Sequence, residues 1–406
     1  MRRERKIKNW RYKGLTLLLC LFISVALYNV NISPVIAGGA GDYSVSNYNE
    51  TTRWGLNAIK AREAWKVTKG SDEIVVAVID SGIDRSIPAL RKNMWINEDE
   101  IPNDGLDNDH NGYVDDVSGW DFRNEEDLSK NYSSLNYHGT FVAGLVGSVY
   151  DRNSGAGGVS PNVSLMDLRF LNSKGKFYSS DWQKLADAID YAVENGASII
   201  NMSLFSSVSP PSLVRRAVQR AESKGVLVVG IAGNDGSRVR HFGRWHEIFT
   251  VGSINRNKDV SHFSNYGPEV EVVAPGQNVL SFSLGGGTVT GSGTSFAAPH
   301  IAGSAALILS QAPDLTLAEL KAKLRESTHD IGKSGKDYKS GYGIIDVRVA
   351  LGLAESTDRN KDGLKTSGYN DEVSTNFISY SLPIETRQDT ECTRYEGYKF
   401  WYSTEY

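Results

Sequence analysis

Short apolar runs alternate with amphipathic segments through the middle of the chain. Six of these runs are nearly continuous, which is typical of strands buried on both faces of a sheet. They cover residues 74–79, 163–170, 198–202, 226–231, 248–254 and 270–274. Segments with a helical period lie between them. This alternation predicts an α/β fold with a mostly parallel β-sheet flanked by helices on both faces.

Helix ends are marked by familiar residue types. The expected helices cover 181–194, 212–224 and 317–325, and the first two are followed by Asn195-Gly196 and Gly225. Before the third, Thr316 and Glu319 have the spacing of a capping box. In parallel sheets covered by helices, ligand sites lie at the carboxyl ends of the strands. The residues that follow the strands are therefore the first candidates for chemistry.

The N-terminal residues have the pattern of an export signal. Residues 1–13 carry seven basic groups and one acid, residues 15–27 are apolar, and Ala37 precedes Gly38. An apolar run of 13 residues is short for a bilayer span of about 20. The pattern predicts a signal peptide over 1–37 and a secreted or extracytoplasmic protein. The alternative is an uncleaved anchor at 15–27, the only condition under which we expect membrane association.

Charge and composition divide the remaining chain. The net charge of residues 1–13 is +6 and that of the whole chain is −4, so the remaining residues carry a net charge of −10. A mildly acidic body without basic runs argues against nucleic acid as a partner. We expect a short segment at 38–53, a catalytic domain at 54–351 and a polar, tyrosine-rich extension at 352–406. The oligomeric state is left open.

Three polar residues stand where chemistry is expected. Asp80 ends the first apolar run, where a rigid, partly desolvated carboxylate can orient an imidazole. His138 opens a segment of small residues that allows close helix packing. Ser295 follows Gly293 at the start of an apolar helix running to Leu309, in the positive field of free backbone N–H groups. Singly, each also fits an ordinary role, as a turn aspartate, a surface histidine or an N-cap serine.

Together the three segments resemble those of the subtilisin-like serine proteases, the subtilase family. They read DSG at 80–82, HGTFVAG at 138–144 and GTSFAAPH at 293–300. Their order of Asp, His and Ser is the order found in subtilisin. The resemblance covers about 54–351. It implies a secreted serine endopeptidase that hydrolyses peptide bonds through an acyl-enzyme intermediate.

The resemblance also implies a role for each residue. Ser295 corresponds to the nucleophile, His138 to the general base and Asp80 to the residue that orients the histidine. Asn234 corresponds to the asparagine of the oxyanion hole. A protein or peptide substrate would bind as an extended strand against backbone segments. The residues that match these segments are Gly175, Lys176, Phe177, Ser203, Leu204, Phe205, Ala232 and Gly233.

The chain departs from the family pattern at several points. Phe141 stands where many relatives have a second histidine, and Phe205 stands where a glycine is usual beside the primary pocket. The ring of Phe205 can narrow that pocket and favour small residues, or it can lie aside. Residues 38–53 are too few for a conventional pro-domain. Two alternatives follow: a dedicated peptide-maturing or transacylating enzyme, and a catalytically silent binding protein on the same scaffold.

An acidic stretch at 107–116 resembles the start of an EF-hand calcium loop. Oxygen-bearing residues alternate, a glycine stands at the sixth position, and the closing glutamate is replaced by Ser118. The pattern predicts a structural Ca²⁺ site. The expected ligands are Asp107, Asp109, Asn111, Tyr113 and Asp115. A solvated acidic loop is the alternative. Residues 358–363 repeat the pattern, with a hydrophilic linker as the alternative there.

Overall fold

The computed structural model describes residues 53–128, 135–151 and 154–353. The helices are α1 (Trp54–Ala58), α2 (Ala61–Ala64), α3 (Pro88–Arg91), α4 (Tyr137–Gly147), α5 (Trp182–Glu194), α6 (Ser212–Ser223), α7 (Thr294–Gln311), α8 (Leu317–Glu326) and α9 (Val347–Ala350). The strands are β1 (Val75–Asp80), β2 (Gly119–Asp121), β3 (Glu126–Asp127), β4 (Ser164–Arg169), β5 (Ile199–Met202), β6 (Leu227–Ile231), β7 (Ile248–Ile254), β8 (Val270–Pro275), β9 (Val279–Phe282), β10 (Thr288–Gly291), β11 (Thr328–His329) and β12 (Ile344–Ile345).

A large twisted sheet forms the centre of the described residues. Its ten strands follow the order β11-β12-β8-β7-β6-β5-β1-β4-β2-β3, and β9 pairs with β10 in a separate hairpin. The strands from β12 to β2 in this order are parallel to their neighbours, and only β11 and β3 at the edges are antiparallel. All six apolar runs form strands of this sheet. The predicted fold class is confirmed.

Helices cover both faces of the sheet, and the side chains of β1 show how. Val76 and Val78 join one hydrophobic core, which also contains the buried residues of α4 and α7. Ala77 and Ile79 point the other way and join a second core with residues of α5 and α6. Because every residue of β1 is buried, the strand needs apolar side chains on both faces, as its sequence has.

The topology brings the candidate residues to one edge of the sheet. Strand β1 lies between β4 on one side and β5 on the other. The chain segments that follow β4 and β5 therefore leave the sheet on opposite sides of the carboxyl end of β1. Such divergence opens a crevice in parallel sheets. Asp80 is the last residue of β1, while 203–205 follow β5 and 232–234 follow β6. The parallel register therefore places all three segments at the same edge.

Some of the sequence expectations fall outside the described residues. They are the signal peptide at 1–37 with its alternative, the anchor at 15–27, the short segment up to residue 52, the second acidic motif at 358–363 and most of the extension at 352–406. Of the helices that the structure does describe, none is both long enough and apolar enough to cross a membrane.

Candidate active site

Asp80 and His138 form a buried carboxylate–imidazole pair. The Nδ1 atom of His138 lies 2.8 Å from Oδ1 and 2.9 Å from Oδ2 of Asp80. Asp80 is fully buried and His138 is 2% exposed. Because a carboxylate can only accept, Nδ1 carries the proton and Nε2 is the nitrogen left to act as a base.

Hydrogen bonds of the neighbouring residues hold the end of β1 and the start of α4 next to each other, which positions Asp80 against His138. The Ser81 amide donates to Asp80 Oδ1 at 2.7 Å, and Ser81 Oγ accepts from the Gly139 amide at 2.9 Å. Asn136 is the N-cap of α4, where its side chain accepts from the His138 amide at 3.1 Å. Gly139 permits the contact, since a Cβ there would lie only 2.5 Å from the Gly82 carbonyl oxygen. The small residues after His138 thus let α4 approach the end of β1.

Ser295 lies in the first turn of α7, as its sequence position predicted. The residue is 2% exposed, and its hydroxyl is hydrogen-bonded to no group among the described residues. Its carbonyl oxygen accepts from Ser203 Oγ at 2.9 Å, which ties the helix start to the segment after β5. The next residue, Phe296, places its ring centroid 5.4 Å from that of His138. The start of α7, which carries Ser295, therefore packs beside the imidazole of His138.

The side chain of Asn234 is oriented by Thr294, the residue before Ser295. Its Oδ1 accepts from the backbone N–H of Thr294 at 2.7 Å and from Thr294 Oγ1 at 2.8 Å. A backbone N–H can only donate, so the oxygen must be on that side and Nδ2 on the other. A Cβ on Gly293 would lie 3.6 Å from Asn234 Nδ2 and 3.7 Å from the Ser295 nitrogen. Two donors therefore border one small space that glycine leaves open.

The segments expected to bind substrate flank this site. Gly175 adopts φ +69°, and a Cβ there would lie 3.5 Å from the side chain of Asn136. The ring of Phe177 is fully buried against Phe170 and Trp182, so only its backbone can serve a substrate. Across the site, Phe205 is partly buried, and a Cβ on Gly233 would lie 3.4 Å from its ring.

Two other aromatic residues of the motifs are structural. Phe141 is fully buried and packs against Phe296 with ring centroids 4.2 Å apart, so the ring that replaces a histidine contributes to the core beside the site. His300 is also buried, and its Nδ1 donates to the Phe296 carbonyl oxygen at 2.8 Å. Burial lowers the pKa of His300 to about 4. A histidine that stays neutral and enclosed is suited to helix packing and not to proton transfer.

The acidic loop has a different arrangement from the one its motif predicted. One oxygen each of Glu100, Asp109 and Asp116 lie within 4.8 Å of one another. Glu100 is 5% exposed, and its Oε2 is buried without a hydrogen-bond donor among the described residues. Burial raises the pKa of Asp116, and the neighbouring Asp109 adds to this. Clustered carboxylates, one with an unsatisfied buried oxygen, have the donor chemistry that Ca²⁺ prefers.

The other expected ligands hold the loop's turns. Asp107 accepts from the backbone amides of Asn111 and Gly112. Asp115 accepts from those of Asp104 and Gly105. Of the five expected ligands only Asp109 joins the cluster.

The remaining two have other partners. The ring of Tyr113 packs on Trp120, Phe122 and Tyr191. The Asn111 amide donates to Asp109 and Asp116, both at 2.9 Å.

Sequence reasoning missed several residues of these sites. Thr294 lies inside the serine motif but had no assigned role, and Ser81 lies inside the aspartate motif. The alternation rule for calcium loops passed over Glu100 and Asp116, although Asp116 directly follows the expected ligand Asp115. Two consecutive acids at the end of the motif were the only signal that could have suggested Asp116.

Comparison with known proteins assigns the family. The profile of the subtilase family matches residues 71–343, which is more than half of the chain. The chain therefore belongs to the subtilase family of serine-type endopeptidases. This agrees with the parallel sheet and with the Asp, His and Ser segments at one edge of it.

Several curated proteins are similar over most of this chain. Subtilisin DY of Bacillus licheniformis is 32% identical over 306 residues, which are 74% of this chain and 99% of that protein. An intracellular serine protease of Paenibacillus polymyxa is 35% identical over 324 residues, 77% of this chain and 90% of that protein. The minor extracellular protease Epr of Bacillus subtilis (strain 168) is 32% identical over 339 residues. This match covers 82% of the present chain but only 47% of Epr, so the chain spans about half of the length of Epr.

Proposed function

We propose that this protein is a secreted endopeptidase that cuts peptide bonds with Ser295 as nucleophile, His138 as general base and Asp80 as the residue that orients the base. The observation that carries the proposal is the buried pair of Asp80 and His138, bonded at 2.8 and 2.9 Å. With the proton on Nδ1, the basic nitrogen of the imidazole is Nε2, and the ring of Phe296, the residue after Ser295, lies beside this imidazole.

The chemistry follows from this arrangement. Ser295 Oγ attacks the carbonyl carbon and passes its proton to His138, while Asp80 stabilises the charged imidazolium. The oxyanion accepts from Asn234 Nδ2 and from the backbone N–H of Ser295 at the positive start of α7. His138 then gives the proton to the leaving amine. Water, activated by the same imidazole, hydrolyses the acyl-enzyme.

The substrate binds as an extended strand in this proposal. Its backbone lies between 175–177 on one side and 203–205 on the other, with Ala232 and Gly233 beside the attacked residue. Two features support this: Gly175 and Gly233 have positive φ angles of +69° and +108°, and both keep side chains away from the path. Backbone pairing of this kind gives affinity without strict sequence demands.

Product analysis of a disordered protein such as casein tests the function. We expect a ladder of peptides from the wild type and none from Ser295→Ala. A single cut, or a product joined to an added amine, would instead favour the dedicated maturing or transacylating enzyme. Intact casein after incubation with folded wild type would favour the silent binding protein.

We also propose that a structural Ca²⁺ is bound by the acidic loop through Glu100, Asp109 and Asp116. Support comes from the buried, unsatisfied Oε2 of Glu100 beside two further carboxylates. A bound cation would neutralise these three charges and hold the loop between β1 and α4. It would thereby stabilise the connection between Asp80 and His138 without taking part in the reaction.

Export is the remaining part of the proposal. It is supported by the basic and apolar segments of residues 1–37 and by the extracellular relative Epr. N-terminal sequencing of the protein from culture medium tests it. We expect a mature start after Ala37, whereas a start at Met1 in the membrane fraction would favour the anchor.

A further inference from the structure

Phe205 fills the space beside the proposed oxyanion hole. Met202, the last residue of β5, pairs with Gly230 in the neighbouring strand β6. Phe205 lies three residues after Met202, and Gly233 lies three residues after Gly230. The register therefore places Phe205 opposite Gly233. A ring carbon of Phe205 lies 3.4 Å from the position that a Cβ on Gly233 would take. The ring therefore borders the space that the absent side chain of Gly233 leaves open between these two segments.

The ring is held there from the solvent side. The guanidinium of Arg240 lies over it, with Cζ 5.5 Å from the ring centroid. Arg240 is itself paired with Asp235, the residue after Asn234. The side chain of His241 also hydrogen-bonds the backbone of Ser207. The loop after β6 therefore contacts the segment after β5, and a move of the Phe205 ring would break its contact with Arg240.

The floor of the same space is closed as well. Asn265 is fully buried, and its Nδ2 lies 2.4 Å from the Cβ position of Gly233. Its Oδ1 accepts from the amides of Asp235 and Ser237 at 3.1 and 3.0 Å. These bonds fix the start of the covering loop against the sheet. An incoming side chain would therefore meet Asn265, which these bonds hold in place, and the Phe205 ring, which Arg240 contacts.

The substrate residue whose carbonyl is attacked (P1) must place its side chain here. Its carbonyl oxygen lies between Asn234 Nδ2 and the Ser295 nitrogen, so its α-carbon is within a few bond lengths of Asn234. The side chain then points between the segments that contain Gly233 and Phe205. We propose that Phe205, covered by Arg240 and Asp235, restricts the enzyme to substrates with a small, uncharged P1 residue. This inference rests on the proposed function and names its substrate class.

Peptides that differ only at P1 test the proposal, with Ala, Phe, Glu or Lys at that position. We expect wild-type kcat/KM to be at least about tenfold higher for Ala than for Phe, because a closed pocket rejects added ring atoms. Phe205→Gly should raise kcat/KM for the Phe peptide by roughly 10- to 100-fold and change that for the Ala peptide far less. Arg240→Ala should act in the same direction with a smaller effect.

Arg238→Ala is the matched control. Arg238 belongs to the same loop, but its guanidinium lies over the rings of Tyr266 and Tyr338 and not over Phe205. The ratio between the Ala and Phe peptides should therefore stay at the wild-type value in this variant.

Several results would overturn the inference. A wild-type enzyme that cuts the Phe peptide as fast as the Ala peptide would do so, even if Phe205→Gly failed to fold. Faster cutting of the Glu peptide would do so too, because Arg240 would then be a receptor for charge. Labelling of Ser295 by a fluorophosphonate distinguishes a failure of this inference from a failure of the proposed function. If Ser295 is labelled but the Ala peptide is not preferred over the Phe peptide, only this inference is contradicted. If Ser295 is not labelled and no peptide is cut, the proposed function is contradicted.

Discussion

The strand-end site and the acidic loop are both marked by sequence motifs, but the structure arranges the residues of the two motifs differently. At the strand ends, Asp80, His138, Asn234 and Ser295 gather at one edge of the sheet. In the acidic loop, only Asp109 of the five expected ligands joins the carboxylate cluster. Strand ends are positioned by parallel register and buried helices, which sequence patterns describe well. The conformation of a loop depends on hydrogen bonds within its turns, and here the carboxylates of Asp107 and Asp115 accept from backbone amides of those turns.

The electrostatic consequences differ as well. At the strand-end site the buried carboxylate of Asp80 has a donor for each oxygen, from Ser81 and His138. In the acidic loop the buried Oε2 of Glu100 has no donor among the described residues. A fully satisfied polar network rigidifies its surroundings, whereas an unsatisfied buried polar group is costly, and a bound cation is one way to satisfy a carboxylate oxygen. We therefore expect the reaction centre to be sensitive to single atoms and the loop to be sensitive to metal.

The largest expected effect is on the reaction centre. Ser295→Ala should lower kcat by about 10⁶-fold, the size seen when the nucleophile is removed from subtilisin, itself a member of this family. The matched control is Ser304→Ala in the same helix. Ser304 is buried too, but its hydroxyl donates to the His300 carbonyl oxygen, so this variant should keep its turnover. Thermal unfolding of both variants checks the fold, and residual turnover in Ser295→Ala at the level of Ser304→Ala would reassign the nucleophile.

The next effect tests the oxyanion hole. Asn234→Ala should lower kcat by about 10²- to 10³-fold with little change in KM, as measured for the equivalent donor in subtilisin. Thr294→Val removes one of the two bonds that orient Asn234 and should cost about tenfold by loosening the amide. Thr294→Ser keeps the hydroxyl and should recover most of the loss. Equal kcat in Thr294→Val and wild type would show that the orientation of Asn234 does not depend on this hydroxyl.

Calcium removal tests the loop. A chelator should lower the free energy of unfolding by about 2.7 kcal/mol relative to calcium at 100 times its dissociation constant. Glu100→Gln should abolish most of this calcium dependence. Asp107→Asn is the control, since Asp107 caps two backbone amides, one with each oxygen, and the single oxygen of asparagine can still accept from one of them. Calcium dependence that is lost in Asp107→Asn and kept in Glu100→Gln would return the ligands to the motif. Isothermal titration with Ca²⁺ gives an independent reading.

The smallest expected effect concerns His300 and pH. Its pKa is lowered to about 4 in the folded protein, against about 6.5 when unfolded. The unfolded chain therefore binds the proton first, so stability is complete above pH 6.5 and falls as the pH drops toward 4. The loss from pH 7 to 5 is about 2 kcal/mol. His300→Asn should lack this dependence.

The difference between the two unfolding curves isolates His300. It cancels the opposite contribution of Asp167, whose pKa is raised by burial to about 6. Parallel pH dependence in wild type and His300→Asn would show that His300 is accessible to protons in the folded state.

The fold could be predicted because its signals are local and repeated. Most central strands are largely apolar, and the long helices α5 and α6 are each followed by a glycine, Gly196 and Gly225. The positions of Asp80 and Ser295 follow from the ends of such elements. The role of Thr294 could not be predicted, because it depends on a contact across 60 residues of chain. Phe205 stayed ambiguous because only the folded loop shows Arg240 above its ring.

The cluster of Glu100, Asp109 and Asp116 could not be predicted for a related reason. Asn97 donates to both Asp109 and Asp116, and Asn111 does the same. These bridges draw together carboxylates that are seven residues apart in the chain and leave Asp115 outside. A rule of alternating positions assumes one loop conformation, and the positive φ of Asp115, +58°, belongs to another.

Labelling with a fluorophosphonate probe tests the central claim most directly. The folded chain is incubated with the probe in calcium, digested, and the modified peptide is mapped. We expect a single modified residue, Ser295, with no labelling in Ser295→Ala and much slower labelling in His138→Ala. Modification of another serine, or no modification of folded wild type in the presence of calcium, would contradict the assignment of Asp80, His138 and Ser295 as the catalytic residues.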